Sequence, residues 1–304
     1  MVKLAQKNAS CTSSVNGWFA SYAGWVSLRR LPNRPKTGGV YMCRVSRFSL
    51  KFTRYLTRIL SLILVNLGFI ARTGIIHPFL FCYACPLAST ACPVGVIQNF
   101  VAMGRLPLYP LGFLALVFGF FGRSPCGLLC PFGWFQDCMA NLGRKLGLKR
   151  GTPRLKGSSR YLTPVIVVLV AVITGLPAFC LICPAATLFA IIPWLAVGKI
   201  VSFTTWVIVH FIVLLAVTAS SLLLGRVWCK YFCPLAFSGV FNRLSLFTLS
   251  FNPEKCKRCN LCLLNCPMGI KRPEDIGSSP DCVLCMKCVE ICPNNAVEIR
   301  FRLR

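Results

Sequence analysis

Eight cysteines near the end of the chain fall in one rhythm, written twice: Cys256, Cys259, Cys262 and Cys266 before Pro267, then Cys282, Cys285, Cys288 and Cys292 before Pro293. A C-x2-C-x2-C loop wraps three corners of a [4Fe-4S] cube, and the chain must cross to the other copy for the fourth ligand. We therefore expect one cluster on Cys256, Cys259, Cys262 and Cys292, and a second on Cys282, Cys285, Cys288 and Cys266. Structural zinc favours C-x2-C pairs set far apart, and disulfides do not suit a reducing compartment. Such a unit passes single electrons and leaves their source open.

Upstream, a second set of cysteines recurs with a proline behind each pair. FCYACPLAST from Phe81 matches FCLICPAAT from Phe179, AMGR from Ala102 matches AVGK from Ala196, and GRSPCGLLCPFG from Gly122 matches GRVWCKYFCPLA from Gly225. This is an internal duplication. Both copies run in the same sense, so an axis along the membrane normal can relate them. That axis predicts Cys82, Cys85, Cys180 and Cys183 at one face, the outer, and Cys126, Cys130, Cys229 and Cys233 at the other, the inner. The C-x3-C spacing sets two thiols on one face of a helical turn, and Pro86, Pro131, Pro184 and Pro234 favour a turn after each pair. Each set suits a further Fe-S cluster, a dithiol or another metal, and at the outer face disulfides, in which Cys92 is able to join. The bland alternative is small apolar cysteines packed between helices. Cys11, Cys43 and Cys138 fall outside the pattern.

These motifs sit in an apolar frame. Of 304 residues 56% are hydrophobic and the mean hydropathy is +0.67, beyond the composition of soluble domains. The chain reads as an α-helical integral membrane protein. It has 34 Lys+Arg against 7 Asp+Glu, net +27, and Asp137 is the only acid before Glu254. The basic residues flank apolar spans, where they set topology and meet anionic lipid, so no nucleic acid partner is expected.

Residues 1–50 read as a basic arm, disordered or lying on the surface, with Met42 as the natural start. Residues 51–241 form a duplicated four-helix bundle, with repeats at about 55–138 and 161–241, and 242–304 a small α+β ferredoxin-like domain. The spans run from about Tyr55 to Ala71, Leu106 to Phe121, Tyr161 to Ile182 and Ile200 to Leu224; the second is short against the usual ~20 residues. The loop at 139–160 is strongly basic, so by the positive-inside rule it, the N-terminus and the tail are cytoplasmic. The location is the cell's inner membrane.

Two C-x3-C-P motifs at the membrane edge, four spans and a double-cluster tail opening CPMGI at Cys266 resemble the NapH and MauN type of membrane ferredoxin protein. NosR and CcoG are related to that group. The likeness covers roughly Phe52 to Arg304. NapH-like proteins imply a quinol dehydrogenase subunit feeding electrons to an outer partner, and CcoG-like proteins a metal-ion reductase. The resemblance thus implies membrane electron transfer, with quinone and a partner redox protein or ferredoxin.

Two other residue types are candidates for chemistry. His210, within the fourth span, is able to hydrogen-bond a quinone. With His77 as its only companion, at a different depth, haem is not expected. Asp137 at the inner edge is a candidate proton acceptor in quinol oxidation, with an ion pair to Arg123, Arg226 or a loop lysine as the plainer reading. No nucleotide fold, P-loop or hydrolytic triad appears. The expected function is a membrane iron-sulfur electron carrier linked to quinol; the alternatives are a thiol-disulfide relay and a copper reductase or metal-handling protein.

Overall fold

The computed structural model describes residues 27–29, 40–44, 47–71, 76–82, 92–148, 159–196, 198 and 205–302. It is mostly helical, with one four-stranded sheet in the order β1-β2-β4-β3.

The helices follow the apolar runs. α1 spans Arg47–Ala71, α2 Pro93–Ala102 and α3 Leu108–Phe121, and a short α4 (Ser124–Leu128) leads into α5 (Pro131–Lys145). The second repeat starts with α6 (Ser159–Thr174). After it come α7 (Pro184–Ala186), a π turn at Thr187–Ile191 and α8 (Ile192–Ala196), then α9 (Thr205–Leu224). A π turn at Trp228–Phe232 and a 3-10 helix at Pro234–Arg243 close the repeat where α4 and α5 close the first.

These helices are turned inside out relative to a soluble bundle. α6 buries only Arg160 and Ala171 and leaves Leu162, Val165, Leu169 and Ile173 exposed. On α9 the buried residues are His210, Val217 and Ser221, while Trp206, Ile212 and Leu215 point outward. A belt of this kind is tolerated where something other than water covers it. Among the described residues one helix, Thr205–Leu224, is long and apolar enough to cross a membrane. α3 and α6 have 14 and 16 residues. The third helix is shorter than the sequence suggests because Gly175, at φ 64°, ends it ahead of Pro177.

The tail is a compact unit. β3 (Phe247–Phe251) and β4 (Val297–Arg302) pair antiparallel in register Phe251↔Val297, and α10 (Leu261–Leu264) and α11 (Lys287–Ile291) lie between them in the chain. Part of the arm expected to be disordered differs: β1 (Ser27–Arg29) and β2 (Val40–Arg44) extend this sheet, with Met42 opposite Arg300. β2 thereby covers an edge that β4 otherwise leaves open.

Tail and helices meet over a close interface at the inner end. A Cβ on Gly127 would lie 2.0 Å from the Val283 carbonyl oxygen, and one on Gly239 2.0 Å from that of Pro280. Only glycine permits these approaches. Asn242 donates from Nδ2 to the carbonyls of Ser279 (2.9 Å) and Cys282 (2.7 Å), and Arg160 pairs with Asp281 at 2.9 Å.

Candidate functional site

The tail brings its eight cysteines into two cavities. One is lined by Cys256, Cys259, Cys262 and Cys292. The other is lined by Cys266, Cys282, Cys285 and Cys288, with Cys262 at its margin and Leu249, Ile270 and Ile276 as apolar walls.

The loops that wrap them share an unusual backbone. Arg258 and Asn260 have φ 51° and 57°, and Leu284 and Met286, at the equivalent places in the second copy, have φ 48° and 59°. Left-handed non-glycine residues cost on the order of 1 kcal/mol each, and a pair repeated in register marks a loop whose shape is dictated by what it encloses. Burial pushes the Cys282 thiol up to about 12, and Cys266 and Cys288 are raised for the same reason. Thiolates so placed need a bound cation to hold their charge. Iron supplies it.

At the inner end the two C-x3-C-P motifs converge. Cys130 faces Cys126 and Cys229, and Cys233 faces the same two, close enough for their charges to interact. Cys130 caps α5 at φ −65°, ψ 113°, and its sulfur accepts from the Gly133 amide at 3.4 Å. Cys233 has nearly the same backbone, φ −73°, ψ 122°. The ring of donors is completed by Gln136, fully buried, whose Nε2 donates to the Cys229 sulfur at 3.2 Å.

Three buried guanidiniums surround this site. Arg226 donates from Nε to Asp137 Oδ1 (2.7 Å) and from Nη2 to Oδ2 (2.6 Å), and Arg58 reaches Oδ2 at 2.9 Å. Arg123 reaches two carbonyls, Cys229 at 2.5 Å and Pro280 at 2.9 Å, and hydrogen-bonds the Cys126 sulfur. Burial alone would raise the Asp137 carboxyl, but Arg226 and Arg58 hold it down at about 2. A group ionised throughout the physiological range is a poor proton acceptor, so the proton-relay role weighed for Asp137 gives way to the ion pair. The sequence offered Arg123, Arg226 or a loop lysine as the partner; of these Arg226 takes the place, joined by Arg58, 79 residues away and not among those offered. The guanidiniums exceed the carboxylate here, as an anionic ligand requires.

At the outer end Cys82, Cys92 and Cys183 pack into one cluster. Cys180 touches the buried Gln98 instead, with Nε2 to sulfur 3.9 Å. Cys85 and Cys11 lie outside the described residues. Cys138 is exposed on α5, and the Cys43 backbone lies in β2. His210 is buried on α9 with Nδ1 unpartnered, its carbonyl accepting from the Thr187 hydroxyl at 3.2 Å. His77 stacks on Phe79. Among the described residues no three His, Cys, Asp or Glu side chains converge as a single metal ion requires. A tetrahedral thiolate ion with bonds of about 2.3 Å holds its sulfurs within ~4 Å of one another; a cube spaces them more widely.

Comparison with known proteins agrees with this geometry. Residues 106–149 and 206–249 each match the 4Fe-4S binding domain model. The two matches contain the inner cysteine pairs, one in each repeat. The chain is 28% identical to an uncharacterised protein of Methanocaldococcus jannaschii, over 70% of this chain and 87% of that one. YccM of Escherichia coli, named as an electron transport protein, is 29% identical over 74% of this chain and 63% of its own. The ferredoxin-type protein NapH of Haemophilus influenzae is 28% identical over 58% and 62%. The chain is similar to membrane-associated ferredoxin-type proteins of the NapH kind. The expected resemblance therefore holds, and the duplication read from the inner motifs coincides with the doubled domain match. No solved structure matches.

Proposed function

We propose that the protein is a membrane-embedded iron-sulfur electron carrier, linked to the quinone pool and to a partner redox protein. Two [4Fe-4S] clusters sit on the tail cysteines in the sets lining the two cavities, and a third lies between the repeats on Cys126, Cys130, Cys229 and Cys233. The observation that carries this reading is the charge at the inner site. Arg58, Arg123 and Arg226 are buried around Asp137 and four converging thiols, and a thiolate-bound cube is anionic overall. It offsets buried positive charge that would otherwise be costly.

When bound, such clusters accept and release single electrons. The chain's residues position them in series. Arg123 ties the Cys229 carbonyl to that of Pro280, two residues before Cys282. Gly127 brings the loop between Cys126 and Cys130 against Val283. The inner thiols and the second tail cavity are thus neighbours through backbone contact, and the first cavity, with Cys259 exposed, faces out to meet a soluble partner. The apolar belt and the loop charges support four spans, with tail and termini on the cytoplasmic side of the inner membrane. His210, buried with a free ring nitrogen, is the residue proposed to meet quinone.

The test is direct. Anaerobically purified protein in lipid nanodiscs is mixed with a short-chain quinol, and cluster reduction is followed by absorbance and EPR. Reduction that fails on changing Cys130 and Cys233 to Ser supports the path. No reduction in wild-type protein with full iron content overturns the quinol link.

A further inference from the structure

The inner site has a second copy at the outer end, recognisable once Cys92 is placed. Cys92 to Gln98 reads CPVGVIQ and Cys130 to Gln136 reads CPFGWFQ, the same C-P-x-G-x-x-Q at the two ends of the first repeat. The structure gives them the same form. Cys92 caps α2 at φ −84°, ψ 116°, with Pro93 in the first turn, as Cys130 caps α5 with Pro131. A cysteine before proline adopts this backbone readily, so the conformation alone assigns nothing.

The glutamines do. Gln136 donates across the repeats to Cys229, the leading cysteine of the second repeat's inner pair. Gln98, also fully buried, donates across the repeats to Cys180, the leading cysteine of the outer pair, and accepts the Phe179 amide at 3.0 Å. Cys183 then caps α7 before Pro184 with φ −77°, ψ 117°, opposite Cys92 and Cys82 and within reach of both charges. Two buried amides from the same position of one motif reach the leading cysteine of the opposite repeat, Gln98 donating also to the Val94 carbonyl of its own helix at 3.3 Å.

We propose that Cys82, Cys92, Cys180 and Cys183 hold an iron-sulfur cluster at the outer end, with Gln98 positioning it as Gln136 positions the inner one. The inference rests on the reading of the inner site as a cluster. It takes Cys92 as a ligand beside Cys82, Cys180 and Cys183 of the outer set grouped from the sequence. The outer cube lacks the inner site's buried arginines among the described residues near it, so it carries its negative charge with amide donors alone. Its reduction potential is accordingly lower than that of an arginine-flanked cube.

The experiment is iron and acid-labile sulfide analysis of anaerobically purified full-length protein, with EPR redox titration. Four cubes give about 16 irons. The double change of Cys92 and Cys183 to Ser removes about four and one EPR component, and changing Cys130 and Cys233 removes about four others. A wild-type count near 12 that responds only to the inner pair overturns the outer site and leaves the inner reading standing. A count near 8, insensitive to both pairs, overturns both. Because the serine variants risk misfolding, two measurements on folded protein accompany them. Gln98→Leu shifts the midpoint of the component lost with Cys92, and leaves the component lost with Cys130 in place; a structural role alone shifts neither. Alkylation of denatured wild-type protein under chelator, without reductant, finds all four outer cysteines free. Cysteines blocked until reductant is added are disulfides, and the outer cluster is then refuted.

Discussion

Asp137 shows how one residue is assigned by its neighbours. It is the only acid before Glu254, and two arginines from other elements converge on it, Arg58 from α1 and Arg226 from the end of α9. Removing one partner of a buried pair costs more than the pair contributes, because the survivor keeps its charge in a poor solvent. Asp137→Asn should therefore lower stability by about 3 to 5 kcal/mol, read by thermal unfolding in detergent with cluster absorbance as the probe. Replacing Asp137 and Arg226 together by apolar residues should recover part of that loss, as a double-mutant cycle would measure. A proton-relay role predicts the reverse pattern, with stability kept and only quinol-driven reduction lost. The arrangement of Arg58 was invisible in the sequence, since arginines that snorkel to a lipid interface and arginines that turn inward to a carboxylate look alike in a span.

At the scale of elements, the rhythm of the tail and the two C-x3-C-P turns were legible because their spacing is imposed by the chemistry they do. The left-handed residues Arg258, Asn260, Leu284 and Met286 were not, since of these types only asparagine favours positive φ. Cys92 was read only as a partner in outer disulfides. Aligned from AMGR and AVGK, the first repeat carries two Cys-Pro steps where the second has one, and the start of α2 shows that Cys92 caps a helix. The interface between tail and helices was equally hidden, as glycines are common in apolar spans. Gly127→Ala would place a carbon 2.0 Å from the Val283 oxygen, so the tail must shift on the order of 1 Å, at a cost of about 1 to 3 kcal/mol. We expect magnetic coupling between the inner cube and the nearer tail cube to weaken in EPR while each cluster remains. Gly112→Ala, on α3 with nothing within 4 Å and no left-handed backbone, should leave the coupling unchanged and serves as the control.

For the molecule as a whole, iron is expected to be part of the fold. The second tail cavity is walled by Leu249, Ile270 and Ile276, and its thiols are pushed up by burial, Cys282 to about 12. Stripped of iron, these thiols take up protons and the loops lose what shaped them. Amide exchange in β3, β4 and α11 should then rise sharply, while α9, held by its own backbone bonds, stays protected. Orientation is the other property set at this scale. The buried arginines and the tail's Lys255, Lys257 and Lys271 gather at the end that also bears Arg144 and Lys145. Moving that end across a bilayer is opposed by every one of those charges. A membrane-impermeant amine reagent should thus label these tail lysines in inside-out vesicles and spare them in right-side-out ones. Labelling from the outside would place the tail cubes on the far side of the membrane, and the proposed direction from an embedded quinol site to a cytoplasmic partner would have to be reversed.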